Sequence, residues 1–415
     1  MVLHTLENAP ERTLLVGVDT GEYDCETSLT ELEALAKTAG AEVVGVVSQK
    51  LEAPSPATYI GSGKLGEICT FCADNEVELL IADGELSPAQ QRNLERETKT
   101  RVIDRTTLIL DIFAQHARSR EGKIQVELAQ LQYRLPRLAG QGKSLSRLGG
   151  GIGTRGPGES KLESDRRHIH RRIQSLRAQL LQIEKRRSAY RTRRKKDGVQ
   201  TVVLMGYTNA GKSTLMNALT NAGVLAEDKL FATLDPTARR LTLPSGLSVL
   251  LIDTVGLVRR LPHKLVEAFH STLEEAADAD LILNVCDVSD AAVEEHVEVT
   301  AKLLHELGCA GTPVLHVLNK CDTPHPNFLP VPSRDTVCIS ARTGEGLDRL
   351  LQAVEQRLQQ RSAHAVLRLP FDKVGVLAEV RRRGRVLSEE YLPDGVRADV
   401  AADAALLDTL QAYIE

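Results

Sequence analysis

No stretch of this chain carries ~18 consecutive apolar residues, the length a membrane-spanning helix needs, so the sequence holds no bilayer span. The first residues lack the basic-then-apolar pattern of a secretory leader, and none is expected. A disulfide framework is missing too. Seven cysteines, an odd number, are scattered along the chain and suit reduced thiols in the cytoplasm. Cys69-Thr70-Phe71-Cys72 is a C-x-x-C, but it has no second pair nearby and falls in a helix-like stretch, so it reads as two helix thiols. His168 and His170 stand among arginines and read as part of a basic surface, not as metal ligands. There is little net charge, only −4 over 415 residues. The 42% hydrophobic content is enough for ordinary cores, and the length allows two or three domains.

The small net charge conceals a local asymmetry. From Arg166 to Lys196 there are thirteen Lys and Arg against one acid, Glu184. Just upstream, residues 140–158 hold eight glycines and three cations, Lys143, Arg147 and Arg155, with no acid and no aromatic. Two apolar seams flank that segment. Ile124, Leu128, Leu131, Leu135 and Leu138 step by 4, 3, 4, 3, and Ile169, Ile173, Leu176, Leu180 and Ile183 repeat the steps. The simplest structure is an antiparallel helical hairpin with arms of roughly 30 to 50 Å. A plain hairpin turns in a few residues. The long glycine-rich loop is therefore either a disordered connector or a tip that enters an anionic crevice. Structured RNA fits the second reading: phosphates draw the cations, and the missing acids avoid repulsion. The missing aromatics argue against single-strand base stacking.

Further along, Gly206-Tyr207-Thr208-Asn209-Ala210-Gly211-Lys212-Ser213 matches G-x-x-x-x-G-K-[ST], between a strand predicted at Thr201–Met205 and a helix predicted at Gly211–Leu219. Such a loop turns backbone N–H groups and a helix N-terminus toward phosphate oxygens. Lys212 is expected to reach the β- and γ-phosphates and Ser213 to ligate Mg²⁺. Leu247–Ile252 reads as a buried strand ending in Asp253-Thr254-Val255-Gly256. An Asp there can hold Mg²⁺ through water, and the Gly256 N–H can sense the γ-phosphate. In Phe231-Ala232-Thr233-Leu234-Asp235, Thr233 is the candidate switch threonine that closes on Mg²⁺, with Thr237 its near rival. Asn319-Lys320-Cys321-Asp322 follows a strand at Val314–Leu318. The Asp322 carboxylate can accept from guanine N1–H and the exocyclic amine, a donor pair that adenine lacks. Ser340-Ala341-Arg342 follows a strand at Thr336–Ile339 and can offer a backbone N–H to guanine O6. Lys212, Thr233 and Gly256 are thus the expected catalytic residues of a GTP hydrolase with GTP, GDP and Mg²⁺ as ligands. Leu257 stands where Ras-like enzymes place a water-orienting Gln, so hydrolysis is expected to be slow until a partner completes the site. Asn209 is either a loop-stabilising residue or part of a K⁺ site beside the phosphates.

The flanking regions are ordinary by comparison. Residues 11–117 alternate strands (Thr13–Val18, Glu42–Val47, Val77–Ala82, Arg101–Asp104) with helices near 28–38, 64–74, 87–98 and 106–117, an α/β unit with a mostly parallel sheet. Gly61-Ser62-Gly63-Lys64 is a helix-opening turn or half of a phosphate loop. Residues 363–415 read as a small α+β tail with strands at Ala365–Leu369, Val386–Tyr391 and Val396–Val400, and a basic knot, Arg381-Arg382-Arg383-Gly384-Arg385. The expected division is 1–117, an N-terminal α/β subdomain; 118–197, a helical hairpin with the tip 140–158; 198–362, a G domain; and 363–415, a small α+β domain.

The nucleotide motifs in series resemble the TRAFAC class of GTPases. Their order after an α/β unit and a hairpin bearing Leu148-Gly149-Gly150-Gly151-Ile152-Gly153-Thr154-Arg155-Gly156-Pro157-Gly158-Glu159 resembles the HflX family over nearly the whole chain. That resemblance implies an α/β P-loop GTPase, monomeric, that binds the large ribosomal subunit and its RNA and splits stalled or idle ribosomes under stress. It implies that the subunit stimulates hydrolysis and that the hairpin tip reaches toward the peptidyl-transferase region. It also implies ATP-linked chemistry of the N-terminal region in some members, for which Gly61–Lys64 is the candidate here.

Overall fold

The structure is a computed structural model, and it describes residues 10–138, 157–220, 230–231, 235–254, 256–260, 276–290, 292–306, 308–309, 311–323, 335–359, 363–402 and 404–415. The glycine-rich tip with Lys143, Arg147 and Arg155, the residues Ala232, Thr233 and Leu234, and Val255 lie outside the described residues. Contacts divide the chain into two units, one made of Met1–Gln182, Lys229–Phe231 and Arg259–Phe269, the other of Ile183–Asp228, Ala232–Val258 and His270–Glu415.

In the first unit, β1 (Arg12–Asp19), β2 (Glu42–Lys50), β3 (Leu79–Ala82) and β4 (Arg101–Asp104) form a parallel sheet in the order β2-β1-β3-β4. The middle of β1 is buried without alternation, as expected of a parallel strand covered on both faces. Helices α1 (Cys25–Thr38), α2 (Ser62–Asp74), α3 (Pro88–Thr98) and α4 (Arg105–His116) connect and follow the strands. Polar side chains satisfy the first N–H groups of three of them. Asp24 caps α1, Asp104 caps α4, and Ser87 with Gln90 forms a capping box ahead of Pro88 on α3. Leu14, Val16, Ile68, Leu80, Leu94 and Val102 make the core. Gly61 precedes α2 as a helix-opening turn, its N–H bonded to Gln49 Oε1 at 2.8 Å, and Lys64 pairs with Glu67 at 2.7 Å. Of the C-x-x-C thiols in α2, Cys72 is buried and Cys69 half-buried, and burial pushes both pKa values up.

Two longer helices follow, α5 (Arg120–Leu138) and α6 (Pro157–Lys196). Arg172 of α6 grips Glu127 of α5 with two bonds of 2.7 Å, and Ile124, Leu128, Ile173 and Leu176 are buried. On α6 the buried stripe is the narrow seam its spacing predicts. On α5 it is wider than expected, because Gln125, Val126, Ala129 and Tyr133 are buried as well and the helix also packs on α4. The 40 residues of α6 rise ~60 Å, longer than the expected arm.

The second unit holds a six-stranded sheet in the order β10-β9-β8-β5-β7-β6, built from β5 (Thr201–Met205), β6 (Thr237–Thr242), β7 (Ser248–Asp253), β8 (Leu281–Asp287), β9 (Val314–Asn319) and β10 (Thr336–Cys338). All are parallel except β6, an antiparallel edge strand whose exposed Arg239 and Arg240 discourage further pairing. Helices α7 (Lys212–Thr220), α8 (Val293–Glu306) and α9 (Leu347–Gln359) accompany it. The core is formed by Val202, Leu204, Leu215, Leu251, Leu283, Val317 and Leu350. Further on, β11 (Ala363–Pro370), β12 (Arg385–Leu392) and β13 (Gly395–Ala402) make an antiparallel sheet in the order β11-β13-β12, packed with α10 (Val376–Arg383) and α11 (Ala404–Thr409). In the basic knot, Arg381 pairs with Glu389. No helix is long and apolar enough to cross a membrane among the described residues.

Candidate nucleotide site

Parallel strands deliver their C-terminal ends to one edge, where ligands of open α/β sheets bind. Register fixes the meeting. Leu204 pairs with Asp253, Met205 with Asn284, and Asp287 with Asn319. The loops after β5, β7, β8, β9 and β10 therefore emerge side by side, and four of them carry the motifs found in the sequence.

The loop after β5 is tightly wound. Gly206 has φ +140 and a Cβ there would sit 2.1 Å from the Val285 carbonyl oxygen, while one on Gly211 (φ +90) would sit 2.2 Å from the Asn319 amide nitrogen. Only glycine fits both places. Asn209 is exposed with φ +60. Lys212 opens α7 and is buried. Its Nζ donates to the carbonyls of Gly206 and Tyr207 at 3.0 and 2.7 Å. Burial pushes its pKa down to about 8, opposed by the Asp253 carboxylate. Ser213 donates to Asp253 Oδ2 at 2.8 Å, and Asp253 Oδ1 is buried and accepts no bond among the described residues. Burial raises the Asp253 pKa, with Lys212 and Ser213 opposing. An orphaned carboxylate oxygen beside a serine hydroxyl is the donor set a hard divalent cation takes. Thr254 donates to the Leu204 carbonyl at 2.7 Å.

Gly256 and Leu257, at the expected γ-phosphate sensor, lie against the phosphate loop. Thr208 N–H donates to the Leu257 carbonyl at 2.7 Å and Leu257 N–H to the Gly206 carbonyl at 3.1 Å. A Cβ on Gly256 would meet the Thr208 Cα at 2.8 Å. Leu257 itself is 3% exposed. Thr237, the rival switch threonine, begins β6 and pairs with Asp253 across the sheet.

At the base-reading end, Asn319 ties three loops together. Its Nδ2 donates to the Ala210 carbonyl at 2.8 Å and its Oδ1 accepts from Ala341 N–H at 2.9 Å. Asp322 accepts from Ser340 Oγ at 2.6 Å and from Arg342. The Ser340 bond leads in holding its carboxyl below the usual range. It is thus an anion at neutral pH, the form that accepts guanine's two donors. Cys321 and Cys286 are inert, their thiols pushed up by burial to about 11 and about 12.

Two residues here escaped the sequence reading. Asp287, at the end of β8, pairs with Lys320 at 2.7 Å and orients its stem, which has φ +65 at the backbone. The apolar run of β8 ending in Asp could have signalled it. His296 of α8 stacks on Tyr207, ring centroids 3.7 Å apart at 16°, and braces the phosphate loop from behind. No periodicity in the chain announces that contact.

Family models match in the same order as the elements: GTP-binding GTPase N-terminal over 26–114, GTP-binding GTPase Middle Region over 116–194, 50S ribosome-binding GTPase over 201–320, and HflX C-terminal domain over 331–409. The chain is 48% identical to the GTPase HflX of Caldanaerobacter subterraneus subsp. tengcongensis over 99% of its own length and 96% of the relative's. It belongs to the HflX family of GTPases. The HflX of Lacrimispora saccharolytica is 50% identical over 99% of both chains, and that of Escherichia coli 46% identical over 88% of this chain and 86% of the relative. A GTP-binding protein from Sulfolobus solfataricus, solved with GDP, is 27% identical over 84% of this chain and 99% of that one, with a TM-score of 0.45. As an HflX-family GTPase the chain binds guanine nucleotides and hydrolyses GTP, with the phosphate loop, Asp253, Gly256 and Asn319–Asp322 gathered at one sheet edge.

Proposed function

We propose that this GTPase binds the large ribosomal subunit through its RNA and uses GTP binding and hydrolysis to split or rescue stalled or idle ribosomes under stress. It acts as a monomer in the cytoplasm. The observation that carries the reading is the exposed cationic face of α6, leading from the acid-free segment 140–158 on a chain whose residues 201–320 match the 50S ribosome-binding GTPases. Phosphates of structured RNA would draw that face, and the glycines would let Lys143, Arg147 and Arg155 approach closely. The working division is 1–117, 118–197, 198–362 and 363–415.

Ser213, Asp253 through water, and Thr233 would hold Mg²⁺. The ion would neutralise charge on the phosphate oxygens when bound. Lys212 supplies a fixed cation to the β- and γ-phosphates, Gly256 an N–H to the γ-phosphate, and Asp322 the choice of guanine. Asn209, exposed on its loop, is the candidate ligand for K⁺ beside the phosphates, and hydrolysis that is equal in Na⁺ and K⁺ would remove that role. Leu257 cannot orient water, so the chain hydrolyses GTP slowly alone and the ribosome completes the site, a contribution in trans worth ~10³–10⁵ in rate in related enzymes.

Co-sedimentation with purified large subunits, in GDP and in a non-hydrolysable GTP analogue, tests the reading. Binding that depends on the nucleotide is expected. Absence of binding in both states rejects it. Deleting 142–156 should leave GTP binding intact and abolish splitting. Splitting that survives makes the segment a connector only.

A further inference from the structure

Lys320 and Asp322 stand two residues apart in the loop after β9, and different partners hold them. Asp322 takes Ser340 and Arg342. The Lys320 ammonium instead meets Asp287 Oδ2 at 2.7 Å. Lys320 also adopts φ +65, a left-handed conformation that is costly for a residue with a side chain and persists only where its surroundings dictate it. Those surroundings are close by. Cys321 N–H donates to the Ile339 carbonyl at 3.1 Å and Thr323 N–H to the Lys320 carbonyl at 3.0 Å. The Cys321 side chain packs with Cys286, Val288 and Leu318.

Asp287 is equally constrained. It closes β8 opposite Asn319 of β9. Its Oδ1 accepts from Ser289 N–H at 2.9 Å and from Ser289 Oγ at 2.6 Å, which leaves Oδ2 for the lysine. The two side chains are 18% and 31% exposed, so water and salt weaken this pair less than an open surface pair. A lysine stem is a run of methylene groups, apolar along its length. Free in water it samples many rotamers, and ordering it against a flat ring costs that freedom. Here both ends are fixed before any nucleotide arrives, the backbone by its turn and the ammonium by Asp287.

We infer that Asp287 is a positioning residue for base binding: by holding the Lys320 ammonium, it presents the lysine stem as an apolar platform for the face of the purine. A platform under the face adds affinity without choosing between purines that differ only at the edge. Asp322 makes that choice. The inference rests on Asp322 as the guanine reader and on nothing ribosomal.

The probes are GDP and inosine diphosphate, which lacks guanine's exocyclic amine, titrated by calorimetry into the full chain. Asp287→Asn keeps the size of the side chain and an oxygen for Ser289, but it no longer holds the ammonium by charge. It should weaken both ligands by the same factor, about fivefold. Lys320→Met keeps an apolar stem and leaves Asp287 no cation to hold. In that background, adding Asp287→Asn should change neither affinity. Unchanged affinities in Asp287→Asn alone overturn the inference. So does a loss that persists at full size in the Lys320→Met background, which is what a merely structural role at the end of β8 would give. A loss larger for GDP than for inosine diphosphate also overturns it, because Asp287 would then act on the edge. Asp322→Ala tests the underlying reading separately and should cost GDP more than inosine diphosphate. Equal costs there would unseat Asp322 as the reader, while the Asp287 and Lys320 cycle would still report whether one acts through the other.

Discussion

Asn319 bonds the Ala210 carbonyl at 2.8 Å, a contact across 109 positions that joins the base-reading loop to the phosphate loop. The same side chain accepts from Ala341, so one buried amide sets the spacing between the three loops proposed to contact phosphate, base and O6. A nucleotide can satisfy all three only if that spacing is kept.

Asn319→Ala therefore should cost more than a local bond. It strips partners from a buried carbonyl and a buried N–H, each worth ~1–3 kcal/mol when left unpaired. GDP affinity should fall by about 10- to 100-fold, measured by calorimetry. The apparent melting temperature without nucleotide should drop as well, because the two bonds exist before any ligand binds.

The strands that deliver these loops could be read from the chain where they are buried, as in the centre of the sheet. Thr201–Met205 stands where its apolar, β-branched run places it. By contrast, β6 was not legible: an edge strand with Arg239 and Arg240 facing water carries no apolar signal. The wide buried face of α5 was missed because its heptad spacing reports one partner helix, and α4 is a second. Pairs such as Lys320 with Asp287, or Arg260 with Asp83, lie hidden for another reason. A charge in a sequence is by default a solvated one, and only tertiary placement reveals which carboxylates are buried to receive a distant cation.

Lys212 gives a pH signature. Burial holds its pKa down at about 8, and bound phosphate oxygens must raise it. Below about 8 the lysine is protonated with or without nucleotide, so affinity is flat. Above that value the free protein has lost the proton and the complex keeps it, so binding takes one up. The affinity for GDP should therefore fall as pH rises through about 8, with a slope approaching one decade per unit. Calorimetry in two buffers of different ionisation enthalpy should report proton uptake approaching one per GDP, below the pH at which guanine loses its own N1 proton. Zero uptake across that window would show that the lysine is already charged when free.

Leu257 invites a simple repair that should fail. Substituting Gln supplies the amide that orients water in Ras-like enzymes, yet the side chain at 257 is 3% exposed and its backbone is tied to Gly206 and Thr208. Leu257→Gln would bury an amide in place of apolar atoms, at a cost of ~1–3 kcal/mol. The expected result is a lower melting temperature and an intrinsic turnover within about threefold of the parent, against the ~10³ or more that a completed site gives. A large gain in single-turnover hydrolysis would mean that the residue swings out to the γ-phosphate.

The cationic face of α6 makes a prediction in salt. Arg171, Arg177 and Lys185 are exposed, whereas Arg172 is engaged by Glu127 and Arg191 by Asp278. If the exposed three meet RNA phosphates, each releases a counterion on binding, and affinity for the large subunit falls steeply with salt. Replacing all three with Gln should weaken subunit binding and flatten the plot of log affinity against log salt concentration by about 2 to 3 units, close to one per lost contact. GDP affinity should not change, because none of the three belongs to the nucleotide site. The comparison with Arg172→Gln separates two kinds of charge on one helix. Its guanidinium is already committed within the fold, so that variant should lower the melting temperature and leave the salt slope nearly unaltered. An equal slope change in both variants would assign the dependence to helix stability and not to phosphate contact.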